Sequence, residues 1–325
     1  MVLIPGANVA TSYYTDPMAA VQEFTNLRLW VVVPAFTTKL CIIECATTYT
    51  CAPMNSRVNS VISKAVKMGY DGPTDTFFMA GHSLGGTCAA TYTQAYNNTD
   101  TEHVLGNIIY GSYVTDQEVE SWSVPVMTVG AELDGGLGRP GNMLHSIKSS
   151  DKAAQANDAV YSDWQMINKP VLILKGMDHS DFCPGFQVPG DVYPSAITDK
   201  AVSNQLIGTV TADFLHLQTS QSEGLKESSL KSLREQSEWT RESLLKPMTD
   251  AIDYLEGSVD GGQAPWCEIV QPELVGFQNY ADRERLSINS IYKVESHAFE
   301  HTRVRYDSID AGSGYESVFN VSGHN

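Results

Sequence analysis

An apolar run that leads directly into a serine between two glycines constrains this chain more than any other feature of its sequence. Residues Thr76–Ala80 are mainly apolar and strand-like, Gly81-His-Ser-Leu-Gly85 follows at once, and small residues suited to a helix come next. In this context Gly-x-Ser-x-Gly predicts a nucleophile elbow, a tight turn that lifts the serine hydroxyl above the edge of a sheet. The sequence therefore predicts Ser83 as a nucleophile, with the backbone amide of Leu84 facing the negative charge that develops in the reaction.

A base and an acid follow at suitable places along the chain. A serine hydroxyl becomes an effective nucleophile when an imidazole accepts its proton and a carboxylate fixes the tautomer of that imidazole. After an elbow of this kind the chain order is Ser, acid, His. The apolar run Val124–Val129 ends in a turn that carries Asp134, and the run Pro170–Leu174 ends in a turn that carries His179. These two residues are the predicted acid and base.

Each of these assignments has alternatives in the sequence. Glu132 lies two residues before Asp134 and is a second candidate for the acid, and Asp178 is adjacent to the histidine itself. Of the eight histidines, His179 is the one that follows a predicted core strand by a few residues. The others considered are less suitably placed: His82 lies inside the elbow and is expected to turn away from Ser83, and His103 and His145 fall in polar connections.

Short apolar runs alternate with helical patterns over the first two-thirds of the chain, which predicts βαβ units and a parallel sheet. The predicted strands are Val2–Pro5, Leu27–Pro34, Thr76–Ala80, Leu105–Tyr110, Val124–Val129 and Pro170–Leu174. The predicted helices are Pro17–Phe24, Met54–Met68, Thr87–Tyr96 and Ser195–Leu217. The fold class expected from this alternation is α/β.

The character of the sequence changes near Gln218. Residues Ser220–Glu256 carry an apolar stripe among charged positions, which predicts one or two amphipathic helices with Pro247 opening the second. Residues Leu286–Tyr306 alternate between apolar and polar, as a strand or hairpin does. The expected organisation is a catalytic domain over 1–219 and a C-terminal α+β extension over 220–325. The apolar stripe must be buried against the catalytic domain or against the same segment of a second chain, so oligomerisation through the extension is one expectation.

Four short motifs together resemble the α/β-hydrolase superfamily, within it the lid-less group of cutinase-like polyester hydrolases, dienelactone hydrolases and chlorophyllases. The motifs are Ile4-Pro-Gly-Ala7, Gly81-His-Ser-Leu-Gly-Gly86, Gly130-Ala-Glu-Leu-Asp134 and Gly176-Met-Asp-His179, and they organise residues 1 to about 217. The resemblance implies a mostly parallel sheet flanked by helices. It also implies a second oxyanion donor at the backbone amide of Ala7, with Asn8 as the neighbouring alternative. Two features depart from the family pattern: the first strand corresponds to the family's third, and about 105 residues follow the last helix of the resemblance.

The function that the resemblance implies is hydrolysis of a carboxylic ester or related acyl bond through an acyl-enzyme on Ser83, without a cofactor. The alternatives are an acyltransferase that uses the same three residues and a non-catalytic binding protein on the same scaffold. The ordered Ser, Asp and His argue against the binding protein. The short connection from Tyr110 to Val124 leaves no room for a cap, so an open cleft for bulky or polymeric esters is expected unless the C-terminal extension covers it. Its candidate lining residues are Tyr13, Tyr14 and Tyr113.

Composition limits the partners and the location. A formal charge of −17, from 38 acidic and 21 basic residues, repels phosphate backbones and anionic lipid surfaces, so no nucleic-acid partner is expected. No apolar run approaches the roughly 20 residues of a membrane helix, so no membrane span is predicted. Three of the six cysteines are clustered (Cys41, Cys45 and Cys51), but their spacing matches no zinc pattern. One or two disulfides would be ordinary in an oxidising compartment, so the location stays open with a secreted or lumenal one favoured.

A zinc-protease pattern near the C-terminus is interpreted as coincidental. His297-Ala-Phe-Glu300-His301 matches His-x-x-Glu-His, which binds zinc only when a helix brings both histidines to one face. The surrounding apolar residues share one parity, which is the periodicity of a strand, and in a strand positions i and i+4 are about 13 Å apart. No metal site is therefore predicted.

Overall fold

A parallel sheet forms the centre of the molecule. The computed structural model describes residues 1–25, 27–36, 38–45, 51–96, 103–113, 122, 124–157, 162–187 and 195–246, together with residues 303–304 and 321–322. Within this part of the chain, five parallel strands lie in the order in which they occur along it: β1 (Val2–Ile4), β2 (Thr76–His82), β3 (His103–Tyr110), β4 (Val126–Ala131) and β5 (Val171–Leu174). The predicted α/β class and parallel sheet are confirmed. Because the strands are parallel, all five carboxyl ends lie at one edge of the sheet.

Helices cover both faces of this sheet. They are α1 (Thr15–Phe24), α2 (Ile42–Cys45), α3 (Ala52–Lys67), α4 (Leu84–Tyr96), α5 (Pro140–Gln155), α6 (Asp163–Asn168), α7 (Lys200–Thr219) and α8 (Glu223–Glu238). Short 3₁₀ turns occupy Thr11–Tyr14 and His179–Phe182, and a π-helical segment, Trp239–Leu245, continues α8. Among the described residues, every helix falls short of the length and apolar character that a membrane crossing requires.

The two faces of the sheet are buried in separate hydrophobic cores. Successive side chains of a strand point to opposite faces, so Phe78 and Ala80 pack with α1 and α7 while Phe77 and Met79 pack with α3 and α4. Strands buried on both sides are apolar along their whole length rather than alternating, which is why β2 and β5 are recognisable as continuous apolar runs.

The predicted strand Leu27–Pro34 is wrong for most of its length. Only Val32 pairs with the sheet, in an isolated parallel bridge to Val2. Its amide donates to the Met1 carbonyl at 3.0 Å, and its carbonyl accepts from the Leu3 amide at 2.9 Å. One further bond runs from the Met1 ammonium to the Trp30 carbonyl at 2.8 Å. The pairing stops beyond these residues, because a tight turn joins the Leu29 amide to the Leu27 carbonyl on one side and Pro34 has no amide to donate on the other.

Three of the described helices, the short α2 and the longer α5 and α6, were not predicted from the sequence. The buried face of α5 includes small and polar side chains as well as apolar ones, so apolar residues alone do not outline the face that packs on the sheet. The polar groups on this face form hydrogen bonds inside the protein. The Ser150 hydroxyl, for example, donates to the Lys169 carbonyl at 2.6 Å and accepts from the Gln165 side chain at 2.9 Å. A search for apolar periodicity does not reveal serines that are buried and hydrogen-bonded.

The start of the C-terminal extension packs on the outer edge of the sheet. The α8 residue Leu233 is fully buried in the same core as α1 and α7, and Leu244 and Leu245 of the π-helical segment are also buried. In addition, the Gln236 side chain donates to the Ile173 carbonyl at 2.6 Å, while the Ile173 amide donates to the Thr240 hydroxyl at 2.9 Å. The backbone groups at the open edge of β5 are thereby satisfied by side chains, which protects an edge strand from pairing with other chains.

The later predictions for the extension lie mostly outside the described residues. The structure does not describe Pro247 or most of Leu286–Tyr306, a range that includes His297, Glu300 and His301. What is described there is a short antiparallel pair, β6 (Arg303–Val304) with β7 (Val321–Ser322). The division at 219/220 remains a prediction.

Replacing Leu233 should destabilise the protein, because the side chain is fully buried between α8 and the core. We expect Leu233→Ala to lower the free energy of unfolding by about 2–5 kcal/mol, measured by urea denaturation. Lys231→Ala, on the same helix with its side chain 77% exposed, should change it by less than about 0.5 kcal/mol. Equal stability of the two variants would show that α8 does not dock as described.

Candidate active site

Ser83 occupies a sharp turn between β2 and α4. Its φ of 54° lies in the left-handed region, which non-glycine residues adopt at a cost of order 1–3 kcal/mol. The flanking glycines make the turn possible. A Cβ at Gly81 would collide with the backbone of Gly85, and a Cβ at Gly85 would collide with the carbonyls of Ile4 and Pro5. The elbow therefore packs backbone to backbone against the loop that follows β1.

The predicted base and acid form a buried pair. His179 begins the 3₁₀ turn after β5, Asp134 lies in the turn after β4, and His179 Nδ1 is 2.8 Å from Asp134 Oδ2. Both side chains are at most 1% exposed. The other carboxylate oxygen of Asp134 accepts a hydrogen bond from the Gly136 amide at 2.5 Å. A carboxylate fixed in this way can hold the imidazole with Nδ1 protonated and Nε2 available as a base.

The rival carboxylates have other hydrogen-bond partners. Glu132 accepts from the Gly176 amide at 2.7 Å and so links the loops after β4 and β5. Asp178 accepts from the amides of Asp181 and Ser195, each at 2.9 Å, and caps the 3₁₀ turn. These bonds shape the loops, and they leave Asp134 as the carboxylate that contacts the imidazole of His179.

The imidazole of His179 is enclosed by backbone on two sides. A Cβ at Gly111 would lie 3.1 Å from its Cε1, and a Cβ at Gly136 would lie 2.6 Å from its Nδ1. On a third side the ring of His82, the residue before Ser83, lies with its centroid 4.7 Å from that of His179. This packing fixes the plane of the ring and brings the base to the elbow.

The backbone amides of Gly6, Ala7 and Asn8, in the loop after β1, differ in their hydrogen bonding. The Gly6 amide donates to the Tyr14 hydroxyl at 2.8 Å, and the Asn8 amide donates to the Lys39 carbonyl at 3.0 Å. Between them, the amide of Ala7 has no acceptor among the described residues, and neither has the amide of Leu84 at the start of α4. The geometry thus favours Ala7 over Asn8 as an oxyanion donor, with Leu84 as its partner.

A buried arginine near the acid was not predicted. Arg139 immediately precedes α5, is 3% exposed, and interacts electrostatically with Asp134 and Tyr113. Burial lowers the pKa of its guanidinium to about 10, while the two neighbours oppose the shift. The group therefore stays protonated at neutral pH and places a buried positive charge near Asp134. An arginine in a glycine-rich turn gives no signal in the sequence that would reveal its burial.

The three tyrosines proposed to line a cleft have different surroundings. Tyr14 is 1% exposed and its hydroxyl points into the protein, so the prediction is wrong for this residue. Tyr13 is half-buried with its ring centroid 5.7 Å from that of Phe186 in the histidine loop. Tyr113 faces His145 with 6.5 Å between ring centroids. Most of the connection that follows Tyr113 lies outside the described residues.

Two disulfides among the described residues lie near α4, and one of them is bonded to it. Cys41 is bonded to Cys88 of α4 and Cys45 to Cys51, while Cys183 is buried and not part of a disulfide. The first bridge fastens α4 to the segment that carries Lys39, the acceptor of the Asn8 amide. In the described part of the chain no group of three or more His, Cys, Asp or Glu side chains is arranged to hold a metal ion.

The comparison with known families agrees with this arrangement. A family model described as the alpha/beta hydrolase family matches residues 1–202. The chain belongs to the alpha/beta hydrolase family. None of the curated proteins matches it. Membership of this hydrolase family is consistent with the five-stranded parallel sheet and with the position of the elbow after β2.

For this alpha/beta hydrolase, the roles of the two neighbouring carboxylates can be separated by substitution. We expect Asp134→Asn to lower the turnover of a p-nitrophenyl ester about 10³–10⁴-fold, because asparagine favours the wrong imidazole tautomer. Glu132→Gln keeps an acceptor for the Gly176 amide and should cost less than about 10-fold. A larger loss in Glu132→Gln than in Asp134→Asn would reverse the assignment.

Proposed function

We propose that this chain is a serine hydrolase that cleaves carboxylic ester, or related acyl, bonds through an acyl-enzyme on Ser83. The observation that carries the proposal is the buried 2.8 Å contact between His179 and Asp134 beside a serine in the left-handed conformation. A strained serine at the start of a helix and an imidazole oriented by a carboxylate are the two features that nucleophilic acyl transfer needs together.

In the proposed acylation step, Ser83 Oγ attacks the acyl carbon of the substrate while His179 Nε2 accepts the hydroxyl proton. The carbonyl oxygen becomes an anion, which the amides of Ala7 and Leu84 stabilise together with the N-terminus of α4. The imidazolium then protonates the leaving alcohol as the bond between the acyl carbon and the alcohol oxygen breaks. Asp134 remains ionised and stabilises the positive charge on His179 throughout.

Deacylation repeats this sequence with water as the nucleophile. His179 accepts a proton from the water, the hydroxide adds to the acyl carbon, and the same two amides stabilise the second anion. Ser83 leaves with the proton from the imidazolium, and the carboxylic acid product is released. All of these groups belong to the chain itself, and the proposed mechanism requires no cofactor.

The proposed substrates are bulky or polymeric esters that an open cleft can admit, and the proposed relatives are the lid-less group of cutinase-like polyester hydrolases, dienelactone hydrolases and chlorophyllases. This finer proposal is supported by the four motifs quoted above and by the short connection between β3 and β4. We also propose that the enzyme works in an oxidising compartment, such as a secreted or lumenal one. The support is the pair of disulfides beside α4, because such bonds persist mainly in those compartments.

Removing the nucleophile tests the central step. Ser83→Ala should lower the hydrolysis of short-chain p-nitrophenyl esters by about 10³-fold or more, a loss typical of a missing covalent nucleophile. Circular dichroism and the urea midpoint should match those of the wild type, since alanine keeps the backbone of the elbow. Undiminished turnover in purified, folded Ser83→Ala would contradict the proposal.

Chelation tests whether the His-x-x-Glu-His sequence contributes. Ester turnover should be unchanged within about twofold after EDTA treatment, because the proposed groups are a serine, a histidine, a carboxylate and backbone amides. The double variant His297→Ala, His301→Ala should also retain wild-type turnover. Loss of activity on chelation that added zinc restores would overturn this expectation.

A further inference from the structure

Tyr14 and His82 make a continuous contact between the loop after β1 and the elbow. The Tyr14 hydroxyl accepts from the Gly6 amide at 2.8 Å and lies 2.9 Å from His82 Nδ1. Gly6 is adjacent to Ala7, and His82 is adjacent to Ser83. The contact therefore connects the residue before the proposed oxyanion donor to the residue before the proposed nucleophile. Tyr14 and His82 themselves are 68 residues apart in the sequence.

One arrangement of protons satisfies both hydrogen bonds of the Tyr14 hydroxyl. An amide only donates, so the Tyr14 hydroxyl is the acceptor of the Gly6 bond, and its own single proton can be donated to His82 Nδ1. His82 is then neutral, with its proton on Nε2. Burial, followed by the proximity of His179, holds the pKa of His82 well below its ordinary value, which agrees with a neutral ring. Burial likewise raises the pKa of Tyr14 well above its ordinary value, so the hydroxyl keeps its proton.

Both side chains are confined. Tyr14 and His82 are each 1% exposed, and their rings meet at 5.8 Å between centroids. A Cβ at Gly6 would lie 3.0 Å from His82 Nδ1, so the backbone of the loop rests directly against the imidazole. The opposite end of the loop is held by the bond from Asn8 to Lys39. The Ala7 amide thus lies between two fixed points, one of which is the Tyr14–His82 pair.

We propose that Tyr14 and His82 are positioning residues that fix the Ala7 amide relative to Ser83, so that the oxyanion donor is oriented before the substrate arrives. This inference rests on the proposed serine hydrolase function. The pair touches neither substrate nor the attacking oxygen. The pair affects the transition state more than substrate binding, because the hydrogen bond from an oxyanion donor becomes strong only when the carbonyl oxygen becomes charged.

The test is the kinetics of Tyr14→Phe, which keeps the buried ring and removes only the hydroxyl. With a short-chain p-nitrophenyl ester we expect kcat to fall about 10–100-fold while KM stays within about threefold. The fall is smaller than the 10²–10³-fold typical of deleting an oxyanion donor, because the Ala7 amide is still present but less well placed. Tyr92→Phe is the matched control: Tyr92 is equally buried, and its hydroxyl donates to Asn55 at 2.8 Å between α3 and α4. It should keep wild-type kcat within about twofold.

A second pair of variants tests His82. The oxygen of asparagine can accept the Tyr14 proton where leucine cannot, so His82→Asn should retain at least about 10-fold more activity than His82→Leu. In the wild type at neutral pH, ¹⁵N NMR should show His82 with Nδ1 unprotonated and Nε2 protonated.

Several results would overturn the inference. They are kcat of Tyr14→Phe within twofold of the wild type, an equal loss in Tyr92→Phe, equal activity of the two His82 variants, or a His82 ring protonated at Nδ1. If these occur while turnover depends on Ser83, only the positioning role fails. A wild type without turnover, or one that Ser83→Ala does not impair, removes the proposed function and this inference with it.

Discussion

A serine held at a φ of 54° between β2 and α4 is the constraint on which the candidate site depends. This conformation is costly for a residue with a side chain, and it persists because the surroundings leave no alternative. Gly81 lies against Gly85, and Gly85 lies against the carbonyls of Ile4 and Pro5, so the strand, the helix and the loop after β1 meet without space for a side chain between them. The same close packing that strains the turn brings the loop after β1 next to the start of α4. One local constraint thereby places the hydroxyl and both proposed oxyanion amides.

The parallel sheet brings the other groups to the same place. Asp134 follows β4 and His179 follows β5, and the carboxyl ends of parallel strands lie along one edge. Burial makes the contact between them strong, because a carboxylate and an imidazole in low dielectric interact more than they would in water. Burial also adds a requirement, because a buried carboxylate needs further hydrogen-bond donors or positive charges nearby. Arg139 and the amide of Gly136 supply them.

The sequence predicted the features that are local along the chain. A strand followed by a glycine-rich turn can be recognised without knowledge of the fold, and this is how Ser83, Asp134 and His179 were selected as candidates. Contacts between distant segments could not be predicted in this way. Tyr14 was expected to line a cleft, because nothing in its own neighbourhood indicates a bond to His82, 68 residues away. For the same reason the helix α5 was missed, since its buried serines find their partners only in the folded protein.

The most direct test of this account is a crystal structure of the protein after reaction with a small fluorophosphonate, which mimics the tetrahedral intermediate. We expect phosphorus bonded to Ser83 Oγ, and one phosphonyl oxygen about 2.7–3.1 Å from the amides of both Ala7 and Leu84. His179 should remain in contact with Asp134. An unmodified Ser83 in the folded protein, or an adduct whose oxygen points away from these amides, would contradict the account.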